Sequence, residues 1–135
     1  MKATAQQLYS KLPAQVAALI ETSTYGTLSR LTHGQYKGGL WNYRVDNNLA
    51  ITALLLSEDN LTLHNDGAYI SLEVNAKVAS AVALVITLNK LSWHYAMNNK
   101  LHIAKMFSDF FYKAKDASLD LLNEKESSQF LQLID

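Results

Sequence analysis

Cysteine is absent from the 135-residue chain. Disulfides and thiolate metal sites are therefore excluded, and the composition fits a reducing compartment. Proline occurs once, at Pro13, and glycine only five times. Long hydrophobic runs are missing too. The longest uncharged apolar stretch, "VASAVALVITLN" at 78–89, falls short of the roughly twenty residues a bilayer span requires and reads as a core helix. The first residues, "MKATAQQLYSKLPAQ", lack the apolar block of a signal peptide, so the expected location is the cytoplasm. An excess of one charge is also lacking, with twelve basic residues against twelve acidic. Strong nucleic-acid binding calls for a basic surplus and mimicry of DNA for an acidic one. The balance disfavours both.

The length suits one domain over 1–135, large enough to bury a core without staples. Charge is unevenly distributed along it. Residues 1–45 carry Lys2, Lys11, Arg30, Lys37 and Arg44 against Glu21. Residues 116–135 carry Asp116, Asp120, Glu124, Glu126 and Asp135 against Lys125. Two solvated faces explain this, and so does a polarised partner surface.

Hydrophobic spacing predicts the elements. Ala5, Leu8 and Leu12 recur at helical intervals, and Pro13 can open a second helical segment, "PAQVAALIET", lined by Val16, Leu19 and Ile20. "STYGTLSRLTHGQ" has no clear period and reads as a loop or short turns. Trp41, Tyr43 and Val45 alternate with Asn42 and Arg44 as in a strand. "LAITALLL" is apolar on both faces and reads as a central strand. "LTLH" and "AYISLEV" flank "NDG", a hairpin whose Gly67 can supply positive φ, with Ile70, Leu72 and Val74 inward. Asn75 caps a helix that is apolar nearly throughout 76–88, with Lys77, Ser80 and Thr87 as a narrow polar stripe. Trp93 and Tyr95 sit where it ends, before "MNNK", and read as core-capping aromatics. A further amphipathic helix turns Ile103, Met106, Phe107 and Phe110 inward, and one or two short helices follow. Segregated strands and helices predict an α+β fold, a small antiparallel sheet of three to four strands packed with N-terminal and C-terminal helices.

Catalytic motifs are hard to find. His33, His64, His94 and His102 show no metal-ligand spacing, and there is no HExxH, Walker loop, dinucleotide fingerprint or GxSxG elbow. Carboxylates cluster at turns, "SEDN", "NDG" and "NEKE". No feature requires a cofactor or a metal. The chain is expected not to be an enzyme, with a small hydrolase or ligand-binding domain as a lesser alternative.

One local pattern stands out, "YKGGLW" at 36–41. Paired glycines let the backbone bend sharply or lie against a ring. Trp41 is then expected to bury its indole as the first core residue of the sheet. Tyr36, Gly38, Gly39 and Trp41, then a second apolar strand, then "NDG", then Asn75, Ala76 and Ala79 opening an alanine-rich helix, and a chain ending in Ile134 and Asp135, together resemble the ArdB/KlcA antirestriction family. The resemblance spans roughly Pro13 to Asp135. Two stretches depart from it: "DNNLAITALLL" has no glycine or proline, and "NAKVASA" has no aspartate or glycine.

The resemblance implies a protein of a plasmid, phage or other mobile element that protects incoming DNA from host type I restriction. Charge neutrality favours non-catalytic protein–protein inhibition, or an indirect effect, over a duplex mimic, with a host defence protein (a type I restriction enzyme or an associated factor) as the partner. Asn47, Asn48, Asn65 and Asp66, at strand ends, are the first candidates for a contact surface beside the Tyr36–Trp41 motif, although turn chemistry accounts for all four. The alternative implied by the same scaffold is an inhibitor of another host defence, of the anti-CRISPR kind.

Overall fold

The computed structural model describes residues 5–134, so Lys2 and Asp135 lie outside the described residues. In chain order the elements are α1 (Gln6–Lys11), α2 (Ala14–Leu31), β1 (Trp41–Val45), β2 (Ile51–Leu55), β3 (Leu61–Asn65), β4 (Ile70–Val74), α3 (Ala76–Met97), α4 (Leu101–Leu121) and α5 (Glu124–Ile134). The class is α+β as expected.

The four strands form two antiparallel hairpins rather than one sheet. β1 pairs with β2, Trp41 opposite Leu55 and Val45 opposite Ile51. β3 pairs with β4, Leu61 opposite Val74 and Asn65 opposite Ile70. β2 is thus not a central strand. Its apolar character on both faces has another cause, since β2 packs against both α3 and α4.

Helix α3 is the axis of the molecule, in contact with α2, α4, α5, β2 and β3. Between Ala76 and Leu88 only Lys77 is exposed. Ser80 and Thr87 do not make a solvent stripe, because both are buried and bonded. Ser80 Oγ bonds the Ala76 carbonyl and accepts the Leu55 N–H at 2.8 Å, so it supplies a partner to a strand donor that has lost water. Thr87 donates to Thr27 Oγ1 at 2.7 Å.

That last bond explains a further difference. The stretch predicted as a loop after Thr22 continues α2 to Leu31. Ile20, Thr24, Thr27 and Leu28 are its buried face, so threonines occupy core positions and hide the apolar period. α2 ends in a left-handed His33 (φ 50°), with His33 N–H bonded to Arg30 O at 3.1 Å and Gly34 N–H to Ser29 O at 2.8 Å. This is a Schellman cap. α3 ends the same way at the predicted break: Asn99 is left-handed (φ 59°), and Lys100 N–H reaches Tyr95 O at 2.8 Å.

Other expectations shift by a residue or two. At the second hairpin, Tyr69 rather than Gly67 takes positive φ (56°), because residues 66–68 form a 3₁₀ turn capped by the Asn65 side chain. Val74 is buried, while Ile70 and Leu72 are half-buried. On α4 the buried face runs through Ala104, Phe107, Phe110, Ala114 and Ser118, Met106 is half-buried, and Ile103 points outward. Trp93 is 64% exposed and caps no core, whereas Tyr95 stacks on Phe107 at 5.6 Å.

Candidate functional site

The Tyr36–Trp41 motif and one face of α2 enclose a cleft of about 500 Å³, lined by Glu21, Tyr25, Gly39, Leu40, Trp41 and Tyr43 among others. Tyr36 is buried behind the lining and contacts two of its rings. Its hydroxyl accepts the Trp41 Nε1–H at 2.7 Å. Its ring meets Tyr25 at 5.2 Å and Trp41 at 6.2 Å, both edge-on, a favoured aromatic geometry. Trp41 and Tyr43, two apart on β1, present one face of the strand, and their rings lie nearly parallel 5.9 Å apart. Trp41, expected as the first core residue of the sheet, is half-buried and packs against the core, while Tyr43 takes the deep position. The bond to Tyr36 satisfies the indole N–H where the ring is covered.

Both glycines are accounted for. Gly38 has φ 131°, a conformation side chains rarely adopt. A Cβ there would approach the Tyr25 hydroxyl, which donates to the Lys37 carbonyl at 3.2 Å. At Gly39 a Cβ would sit 2.9 Å from Leu55 Cδ1, so the loop lies close on β2 and a side chain there would have to displace that methyl.

Glu21 is the charged residue of the cleft lining, and Tyr9 donates to its Oε1 at 3.0 Å. Burial first, and then the Glu21 charge, push the Tyr43 phenol well above its ordinary value, with Thr24 hydrogen bonding partly offsetting them. Burial likewise pushes Tyr36 up, while the bond from Trp41 opposes the shift. The phenols therefore stay protonated and are poor nucleophiles or bases.

The other expected contact residues are held elsewhere. Asn47 accepts from Lys11 Nζ at 3.4 Å, and the Asn48 carbonyl accepts from Lys113 Nζ at 2.8 Å, so this turn is held between α1 and α4. Asn65 donates to Leu133 O at 3.2 Å, and Asp66 lies 3.6 Å from His33 Nε2. The eight residues thus fall into three groups held by different elements. His33 and His64, unlinked in sequence, stack at 3.8 Å. Among the described residues no group of three or more His, Cys, Asp or Glu side chains could hold a metal, and no helix is long and apolar enough to cross a membrane. On the opposite face of β1, Asn42 and Arg44 border a smaller groove of about 310 Å³ over Leu54, Ala81 and Ser118.

Tyr25, Tyr43 and Glu21 were not singled out from sequence. The available signal was the crowding of Tyr9, Tyr25, Tyr36 and Tyr43, four of seven tyrosines, into the first third of the chain.

No protein-family model matches the chain, and no curated protein matches it in sequence. A solved structure does match, with a TM-score of 0.79 over 99% of this chain and 92% of that one, at 18% identity. It is that of the KlcA and ArdB proteins, described as showing a novel fold and antirestriction activity against type I DNA restriction systems in vivo but not in vitro. The chain has the KlcA/ArdB fold. Within that fold the Tyr36–Trp41 motif closes the aromatic cleft, and Asn75 starts α3 by accepting the Val78 N–H at 3.0 Å.

Proposed function

We propose that this chain is an antirestriction protein of a plasmid, phage or integrated element, working as one domain in the host cytoplasm and inhibiting type I restriction without catalysis. The observation that carries the reading is the full-length KlcA/ArdB fold, TM-score 0.79 over 99% of the chain. The aromatic cleft supports a non-catalytic role, because burial keeps the Tyr43 phenol protonated and Glu21 is bonded to Tyr9. Net charge zero argues against imitation of duplex phosphates and for a host protein as target. The contact surface we propose is first the loop of Gly38, Gly39 and Trp41, with buried Tyr36 supporting it from beneath, and then the turns at Asn47–Asn48 and Asn65–Asp66.

The fold relatives act in vivo but not in vitro, so the same dependence on a cellular component is expected of this chain. The test is therefore made in cells. Unmodified phage is plated on hosts whose only barrier is type I restriction, with and without the protein. Restored plating is expected. Restoration only where CRISPR interference is the barrier would move the target to that system, and restoration in neither host would end the inhibitor reading.

A further inference from the structure

We propose that the cleft between α2 and β1 receives an arginine side chain from a protein partner. The assignment rests on the reading of the chain as a protein-directed inhibitor and specifies the chemistry of that contact. Three features carry it.

First, the walls are aromatic. Tyr25 is 45% exposed, Trp41 is half-buried, and Tyr43 lies beneath, so aromatic rings border a concavity of about 500 Å³. Aromatic faces attract cations through the ring quadrupole, tryptophan most strongly. Second, the charge has one sign. Glu21 lines the cleft and, among the described residues, no lysine or arginine does. The Tyr9 hydroxyl fixes Glu21 through Oε1, which leaves Oε2 for a second donor. A fixed carboxylate beside π-faces selects a planar guanidinium, which stacks on a ring and bonds a carboxylate in plane, over a compact ammonium. Third, the rim is apolar and open. Leu40 is 66% exposed beside the cleft, and Tyr9, bonded to Glu21, is 41% exposed. A small free cation would leave these side chains in water, whereas a protein surface carrying the arginine would cover them.

The test uses the full chain labelled with nitrogen-15. The Trp41 indole N–H reports on the cleft, and the Trp93 indole, on α3 and outside the cleft, serves as internal control. N-acetyl-arginine amide, N-acetyl-lysine amide, the neutral N-acetyl-citrulline amide and tetramethylammonium are titrated separately. Arginine should shift the Trp41 signal saturably and lysine less tightly, while citrulline should leave it in place. Glu21→Gln, which keeps an oxygen for Tyr9, should weaken arginine binding about tenfold. Tyr25→Leu, at a largely exposed position, should weaken it comparably. Citrulline binding as well as arginine, tighter binding of tetramethylammonium, or equal movement of both indoles would each overturn the assignment. In the plating assay, Glu21→Gln protection equal to that of the original protein would overturn the arginine-bearing partner. Failure of the original protein to protect would instead remove the antirestriction reading and leave the solution result standing.

Discussion

Gly38 and Gly39 look equivalent in sequence but do different work. Gly38 occupies φ 131°, whereas Gly39 is tight only against the terminal methyl of Leu55. Gly38→Ala therefore forces a side chain into a conformation reserved for glycine, and about 1–3 kcal/mol of destabilisation is expected. Gly39→Ala needs only a shift of a side-chain end and should cost about 1 kcal/mol. Urea midpoints of the two variants measure the difference, and the reverse order would put the constraint on Leu55 packing instead. The glycine pair and Trp41 were legible as a backbone device because glycine and a large ring are conspicuous in sequence. The rest of the cleft was not. Glu21 and Tyr25 lie on a part of α2 read partly as loop, and only the docking of that helix beside β1 brings them against Tyr43.

Helix starts are more informative than helix charges. Glu126, counted with the acidic end of the chain, is 7% exposed and belongs to a capping box at the start of α5. Asn123 Oδ1 accepts the Glu126 N–H at 2.8 Å, and Glu126 Oε1 accepts the Asn123 N–H at 3.0 Å. Its other oxygen accepts from Asn75 Nδ2 at 2.7 Å, so one carboxylate joins the starts of α3 and α5. The Asn123 backbone bond above all, then Asn75, and to a smaller extent Lys77 hold this carboxyl below its ordinary value, against the upward push of burial. A group depressed on folding stabilises fully above its unfolded value of about 4.3 and stops doing so as pH falls through the folded value. Stability should therefore decline on acidification below about pH 5. Glu126→Gln should cost about 1–3 kcal/mol at neutral pH and flatten that decline, as followed by urea unfolding across pH. Elements with end signals, α3 after Asn75 and the 61–74 hairpin, were readable because caps and turns act locally. The extension of α2 and the division of the strands into two hairpins were not, because buried threonines and the packing of β2 are decided by distant partners.

At the scale of the whole molecule the charge asymmetry separates into structural and free groups. Lys11 and Lys113 are engaged at the Asn47–Asn48 turn, and Glu126 is engaged at two helix starts. Asp116, Asp120 and Glu124 remain exposed. Reversing these three to lysine should change stability by only about 1 kcal/mol, most of it from Glu124 at a helix start. For an inhibitor that does not imitate phosphates, plating protection should be unchanged. Its loss in a folded triple variant would assign this face to the target. The bond between Asn75 and Glu126 spans 51 residues, and Phe130 and Leu133 on the same helix are buried. During translation the apolar α3 leaves the ribosome before α4 and α5, two of the elements that cover it. A nascent chain stalled there would leave much of its stickiest helix bare, a client for chaperones until the last two helices arrive.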